Sequence, residues 1–270
     1  MKKVILNMLL LIGVAVFISA CSKDNNNEIA PAKTYVLVHG AWQAPYAWLN
    51  VKADLERSGN KVILVELPGH GADQTAPQNL TIDVYREKVI SAINKVDGKV
   101  ILVGHSLAGV VISAVAEKVP SKIEKLIYIG AYLPANGQSL LDLAGTDAAS
   151  LLGKSLVPSA DQLTLGVVQE RITDIFIQDG TADQKALVLQ NYRVEPAIPF
   201  TNKVVLTDAN FGAVPKYYIK TLKDQAISPE LQNRMIAAAG LKSVYSINTG
   251  HSPFISKPDS VAILLSNIAR

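Results

Sequence analysis

The sequence predicts a doubly wound, mostly parallel α/β sheet of about six strands. Short apolar runs rich in β-branched residues recur along the chain, and helical segments separate them. The length of 270 residues suits one large α/β domain better than two small modules. The first four runs fall at 35–38, 62–65, 100–103 and 126–129. None alternates polar with apolar residues, as expected of parallel strands buried on both faces. Between the second and third runs, Ile82, Tyr85, Val89, Ile93 and Val96 are spaced by three or four and form one helical stripe beginning after Thr81. A fifth strand is expected at 216–222. The next helix is well signalled, with Ser228 as N-cap, Pro229 in the first turn and Glu230 suited to the helix dipole. A sixth strand at 243–247 and a final helix from about Pro258 complete the alternation.

Residues 134–212 break this rhythm. They show helical patches at about 138–143, 160–177 and 181–191, without a convincing core strand. The expectation is a helical cap inserted into a domain of residues 33–270, lying over the carboxyl edge of the sheet. Between Ala131 and Glu170 only Asp142, Asp147, Lys154, Asp161 and Glu170 are charged. One face of the cap is therefore expected to be buried or to line an apolar pocket.

Composition removes several classes of function. An apolar fraction of 49% with 18% charged residues excludes a disordered chain. The net charge is +3, and +1 once Lys2 and Lys3 are set aside, which gives no basic footprint for nucleic acid. The single cysteine, Cys21, precludes an intramolecular disulfide.

Residues 1–20 read as an address rather than as fold. A basic Met1-Lys2-Lys3 start precedes an apolar stretch, and Ile18-Ser19-Ala20 brings small residues up to Cys21. This resembles the lipobox of bacterial lipoproteins, which implies cleavage before Cys21 and lipidation of its thiol. An ordinary signal peptide cut near Ala20 and an uncleaved anchor helix are the alternatives. Several acyl chains would hold the protein stably on a membrane. Residues 21–32, with Asp24-Asn25-Asn26-Asn27-Glu28, read as a polar tether. Ser22 rather than aspartate after the cysteine favours the outer membrane where the cell envelope has two.

The chemistry is expected where strands end. The run 100–103 leads directly into Gly104-His105-Ser106-Leu107-Ala108-Gly109 and then a helix. A serine on such a turn is pushed out at the carboxyl edge of the sheet, and the amide of Leu107 can stabilise an oxyanion there. His251, in Thr249-Gly250-His251-Ser252 after the last strand, is the candidate base. A carboxylate must orient it. Asp224, directly after the fifth strand, fits best, and Asp208 is the second candidate with poorer strand context. His39, His70 and His105 read as structural.

His39-Gly40-Ala41-Trp42, Trp48, Leu67-Pro68-Gly69-His70-Gly71, Gly104-His105-Ser106, Tyr132-Leu133-Pro134 and residues 222–227 together resemble one branch of the α/β hydrolases. That branch holds plant methyl esterases, hydroxynitrile lyases and bacterial carboxylesterases. The resemblance runs from residue 34 onward and is weakest in the cap. It implies the order Ser106, Asp224, His251 for nucleophile, acid and base. It also implies a second oxyanion amide from Ala41, a small-molecule carboxylic ester as substrate, and no metal or organic cofactor, and the charge-poor cap suits an ester with apolar groups. A lyase acting on hydroxynitriles and a ligand-binding protein with a vestigial triad are the rival readings. Two positions depart from relatives: Gln43 stands where many have histidine, and Ser252 where the lyases place a lysine.

Overall fold

A computed structural model describes residues 31–270. The leader, Cys21 and most of the tether lie outside the described residues. The core strands are β1 (Thr34–Val38), β2 (Lys61–Val65), β3 (Val100–His105) and β4 (Ile123–Ile129). The insertion adds β5 (Leu156–Pro158), β6 (Thr164–Val167) and β7 (Glu195–Pro196), and the core closes with β8 (Lys216–Thr221) and β9 (Val244–Ile247). Six strands form one parallel sheet in the order β2-β1-β3-β4-β8-β9. All six match the runs read from the sequence.

The core helices are α1 (Leu49–Arg57), α2 (Ile82–Ile93) and α3 (Ala108–Lys118). In the insertion they are α4 (Leu140–Ala144), α5 (Ile172–Phe176), α6 (Ala182–Gln190) and α7 (Ile198–Thr201). They end with α8 (Pro229–Ala238), α9 (Pro253–Ser256) and α10 (Pro258–Ala269). The chain winds from β1 outward to β2 through α1, then reverses through α2 to β3. Right-handed crossovers therefore put α1 and α2 on opposite faces of the sheet. α1 packs on α10 and α2 on α3, so both faces are covered and every residue of β3 is buried. The stripe read from α2 is the buried one: Ile82, Tyr85, Val89 and Ile93 all face the core. The helix starts are capped as the sequence implies, with Thr81 accepting from the Val84 amide and Ser228 from that of Leu231.

The reversal places a topological switch point between β1 and β3, where Val38 pairs with Gly104. The carboxyl edge at such a switch point is the usual ligand position in open α/β sheets.

The insertion is not purely helical, which corrects the expectation. Its strands form a small antiparallel sheet in the order β5-β6-β7. The stretch expected as one helix at 160–177 is a turn, strand β6 and the short helix α5. Ser159 and Asp161 make that turn, since the Ser159 amide donates to the Thr164 carbonyl and Asp161 Oδ1 accepts from both the Ser159 hydroxyl and the Leu163 amide. Strands of two to four residues are too short to show a period of two, whereas the leucines and valines of β5 and β6 mimic helical spacing. Within the charge-poor stretch Leu140, Leu143, Leu152 and Val167 are buried, as are Ile172, Ile175 and Phe176 just beyond it.

Candidate active site

β3 delivers Ser106 onto the strand-to-helix turn in a left-handed conformation, φ +54°. An L-residue bears strain there and keeps it only where the surroundings enforce it. Gly109 is the close-approach position of the turn, because a Cβ at that residue would lie 2.0 Å from the Tyr132 carbonyl oxygen. The Ser106 carbonyl is fixed by the Gly109 and Tyr132 amides at 3.0 and 3.1 Å. Across the switch point, a Cβ on Gly40 would sit 2.7 Å from both Ser106 Cβ and His105 Nδ1. Only glycine lets the loop after β1 come that close. Leu107 opens α3, so its amide belongs to a helix N-terminus.

β8 and β9 bring the other two candidates together. Asp224 and His251 are both buried, and His251 Nδ1 lies 2.9 Å from Asp224 Oδ2 and 3.0 Å from Oδ1. The carboxylate is itself held by four donors in its neighbourhood. Oδ1 accepts from the Ala226 and Ile227 amides at 2.8 and 2.9 Å, and Oδ2 accepts from Thr221 Oγ1 at 2.7 Å. Gln232 Nε2, on α8, lies 3.5 Å from Oδ2 and donates to Thr221 Oγ1 at 3.0 Å. A carboxylate restrained in this way fixes both tautomer and orientation of an imidazole, leaving Nε2 as the nitrogen free to take a proton. Asp208, the second candidate acid, is exposed in the turn Asp208–Gly212 and does not meet His251.

His105 ties the histidine loop to the serine turn. Its Nε2 donates to the His251 carbonyl at 2.8 Å, and the two rings lie 4.4 Å apart. Burial, reinforced by the neighbouring His251, drives His105 well below the ordinary imidazole range, so it stays neutral. His39 is also neutral. Its Nε2 accepts from the Leu67 amide at 3.1 Å, so Nδ1 carries the proton and donates to the Gly40 carbonyl at 2.9 Å. Burial first, and then nearby His70, lower it to about 3.

The cap packs buried aromatic rings beside His251 and Trp42. Phe176 of α5 stands 6.0 Å from the His251 ring and 5.5 Å from Trp42, while Phe200 of α7 lies 5.8 Å from Trp42. Cap residues also hold the histidine loop, with Asp179 Oδ2 accepting from the Gly250 amide at 3.0 Å. Gln43 donates through Nε2 to Ser252 Oγ at 2.8 Å, joining the loop after β1 to the residue after His251. The sequence gives no sign of Thr221, Gln232, Asp179 or Glu195 as site residues, because their partners are set by tertiary contact, whereas Gln43 shows there only as a departure from relatives.

The sequence signature of the α/β-hydrolase family matches residues 35–263. The chain belongs to that family. It is 33% identical over 252 residues to putative methylesterase 11, chloroplastic, of Arabidopsis thaliana, covering 87% of this chain and 64% of that protein's length. The crystal structure of polyneuridine aldehyde esterase superposes with a TM-score of 0.80 at 22% identity, over 89% of this chain and all of that one. An extracellular α/β-hydrolase from a Paenibacillus species, with homology to tobacco salicylic acid binding protein 2, superposes at 0.76 and is 26% identical, over 87% of this chain and 98% of that one. The fold expectation is thus met by both sequence and structure.

Proposed function

We propose that the chain hydrolyses carboxylic esters bearing apolar groups, through an acyl-enzyme on Ser106. The observation that carries the reading is the buried Asp224–His251 pair, whose loop is bonded to the residue preceding a strained, edge-placed serine. Ser106 Oγ attacks the ester carbonyl while His251 Nε2 takes its proton, and Asp224 stabilises the resulting imidazolium. The amides of Ala41 and Leu107 receive the oxyanion, each worth about 3 kcal/mol of barrier. Collapse of the tetrahedral adduct breaks the ester C–O bond, and His251 returns the proton to the departing alcohol. Water, activated by the same histidine, then releases the acid. The reaction balances without metal or organic cofactor.

The apolar surroundings of His251, with the packed rings of Phe176, Trp42 and Phe200 beside it, support substrates with hydrocarbon groups. The methylesterase and esterase relatives support an ester rather than an amide or epoxide. Ser252 argues against cyanohydrin cleavage. It is buried and bonded to Gln43, and the nearest downstream lysine, Lys257, precedes α10 rather than facing His251. No cation on that segment is placed to receive a departing cyanide, and a small anion left in an apolar pocket is costly. Lipidation of Cys21 would hold this activity on the bacterial cell envelope, with residues 22–32 as spacer. The test is a direct comparison of p-nitrophenyl esters with mandelonitrile, using protein that lacks residues 1–21. Ester turnover that outpaces cyanohydrin cleavage and vanishes in Ser106→Ala is expected. Ser106-dependent cyanohydrin cleavage faster than every ester tested would overturn it.

A further inference from the structure

Glu195, on cap strand β7, is fully buried. Its Oε2 accepts from two donors of the core: the main-chain amide of Trp42 and Nε2 of His70, each at 2.8 Å. His70 Nδ1 faces the Pro68 carbonyl at 3.0 Å, so both ring nitrogens meet acceptors, the pattern of an imidazolium. Burial alone would lower His70, but the Glu195 carboxylate and its hydrogen bond, with that of Pro68, raise it above the ordinary value. The same cap segment grips the His70 loop a second time, as Arg193 donates to the Gly71 and Asp73 carbonyls at 2.8 and 3.0 Å.

Trp42 is one of three non-glycine residues with positive φ among the described residues, at +58°. Such a conformation costs about 1 kcal/mol or more and needs an external hold. The cap supplies that hold twice, through the Glu195 carboxylate on the main chain and through the Leu165 carbonyl of β6, which accepts from Trp42 Nε1 at 2.8 Å. The preceding residue is Ala41, and Gly40 before it is pressed against Ser106. Two residues fixed on either side leave the Ala41 amide little freedom of direction.

We propose that Glu195 is a positioning residue: from the cap it locks Trp42 in its left-handed conformation and so aims the Ala41 amide at the oxyanion of the Ser106 adduct. Correct seating of the cap is then a condition for catalysis, not only for substrate binding. The inference rests on the reading of Ala41 as an oxyanion donor.

The test uses Glu195→Gln, which keeps an acceptor of the same reach without the charge, and Glu195→Leu, which removes the acceptor at similar volume. Steady-state kinetics with p-nitrophenyl butyrate are combined with inhibition by an alkyl boronic acid, which forms a tetrahedral anion on a reactive serine. Loss of a whole oxyanion donor lowers kcat by about 10²–10³. The expected losses in kcat are therefore about 100-fold for Glu195→Leu and about 10-fold for Glu195→Gln. KM should stay within about threefold, and boronic acid affinity should fall in step with kcat, since both report the oxyanion site. A role confined to packing would lower the melting temperature and leave these two quantities alone. A folded Glu195→Leu protein with wild-type kcat and boronic acid affinity would overturn the proposal. Should Glu195→Leu not fold, Glu195→Gln decides, and values within twofold of wild type overturn it. Ser106→Ala, run alongside, separates the two readings. Turnover surviving that change defeats the hydrolase reading itself, whereas a dead Ser106→Ala with unimpaired Glu195 variants defeats only the positioning role.

Discussion

Asp224→Asn has an outcome that the geometry constrains closely. The Ala226 and Ile227 amides can only donate, and they meet Oδ1 at 2.8 and 2.9 Å. In the variant they hold the one remaining carbonyl oxygen at that position. The new NH2 group then occupies the Oδ2 position, 2.9 Å from His251 Nδ1. An N–H aimed at Nδ1 requires that nitrogen to be bare, so the ring proton moves to Nε2. In the proposed mechanism that is the nitrogen that accepts the proton of Ser106. The wrong tautomer costs a Ser-His-Asp protease about 10⁴ in kcat, equivalent to about 5.4 kcal/mol of barrier. The fold should survive, since the amide is isosteric and the Thr221 hydroxyl can rotate to accept from it. The assay is kcat for p-nitrophenyl butyrate, read beside the melting temperature. Asp208→Asn is the control and should stay within about twofold of wild type, because Asp208 is exposed and away from His251. A loss under tenfold in Asp224→Asn, or a comparable loss in Asp208→Asn, refutes the assignment.

Gly40→Ala should lower kcat by at least about 100-fold and cost about 1–3 kcal/mol of stability, because its Cβ would lie 2.7 Å from Ser106 Cβ; wild-type kinetics would contradict the packing described. Acid should destabilise the fold. His39, lowered to about 3, and His105, driven well below the ordinary range, stay neutral when folded but take up protons when unfolded. Both contributions are complete above about pH 6.5 and decline as pH falls below it, that of His39 until about pH 3, at up to about 1.4 kcal/mol per pH unit each. His70, raised by Glu195, acts in the opposite sense, its contribution present below about pH 6.5 and lost as pH rises through its elevated value. Urea midpoints at pH 7.5 and 4.5 measure the balance, and a higher midpoint at pH 4.5 would contradict it. Cys21→Ser should release the protein from membranes or stall its processing, and a wild-type protein left unlabelled by a metabolic fatty acid would end the lipoprotein reading.

The central strands β1, β3 and β4 were legible because a strand buried on both faces carries an apolar run. β8 and β9, half-buried and interrupted by Lys216, Lys220 and Ser246, were legible from their place before and after the capped helix at Ser228. Where polar residues begin a strand, the edge was missed. β4 starts at Ile123, but Glu124 and Lys125 hid its first residues; Lys33 pairs with Glu124 at 2.7 Å, and Lys125 Nζ donates to the Ile268 carbonyl at 2.6 Å. Ser106, Asp224 and His251 were findable as candidates because each follows a strand that can be read. The hairpin of the cap was not legible, since its turn chemistry at Ser159 and Asp161 is local but its strands are too short to show a period. Glu195 left no trace at all. It looks like any surface acid in sequence, and its burial follows from Trp42 and His70, more than a hundred residues away.

The central claim is covalent, and intact-protein mass spectrometry addresses it directly. The protein lacking residues 1–21 is mixed with excess p-nitrophenyl butyrate and acid-quenched within milliseconds to seconds. The account predicts a mass increase of one butyryl group per chain, mapped by proteolysis to Ser106, with a stoichiometric burst of p-nitrophenol. Neither should occur in Ser106→Ala, and the adduct should persist longer in Asp224→Asn as deacylation slows with acylation. Undiminished turnover by Ser106→Ala, or an acyl group mapped to any other residue, would contradict it.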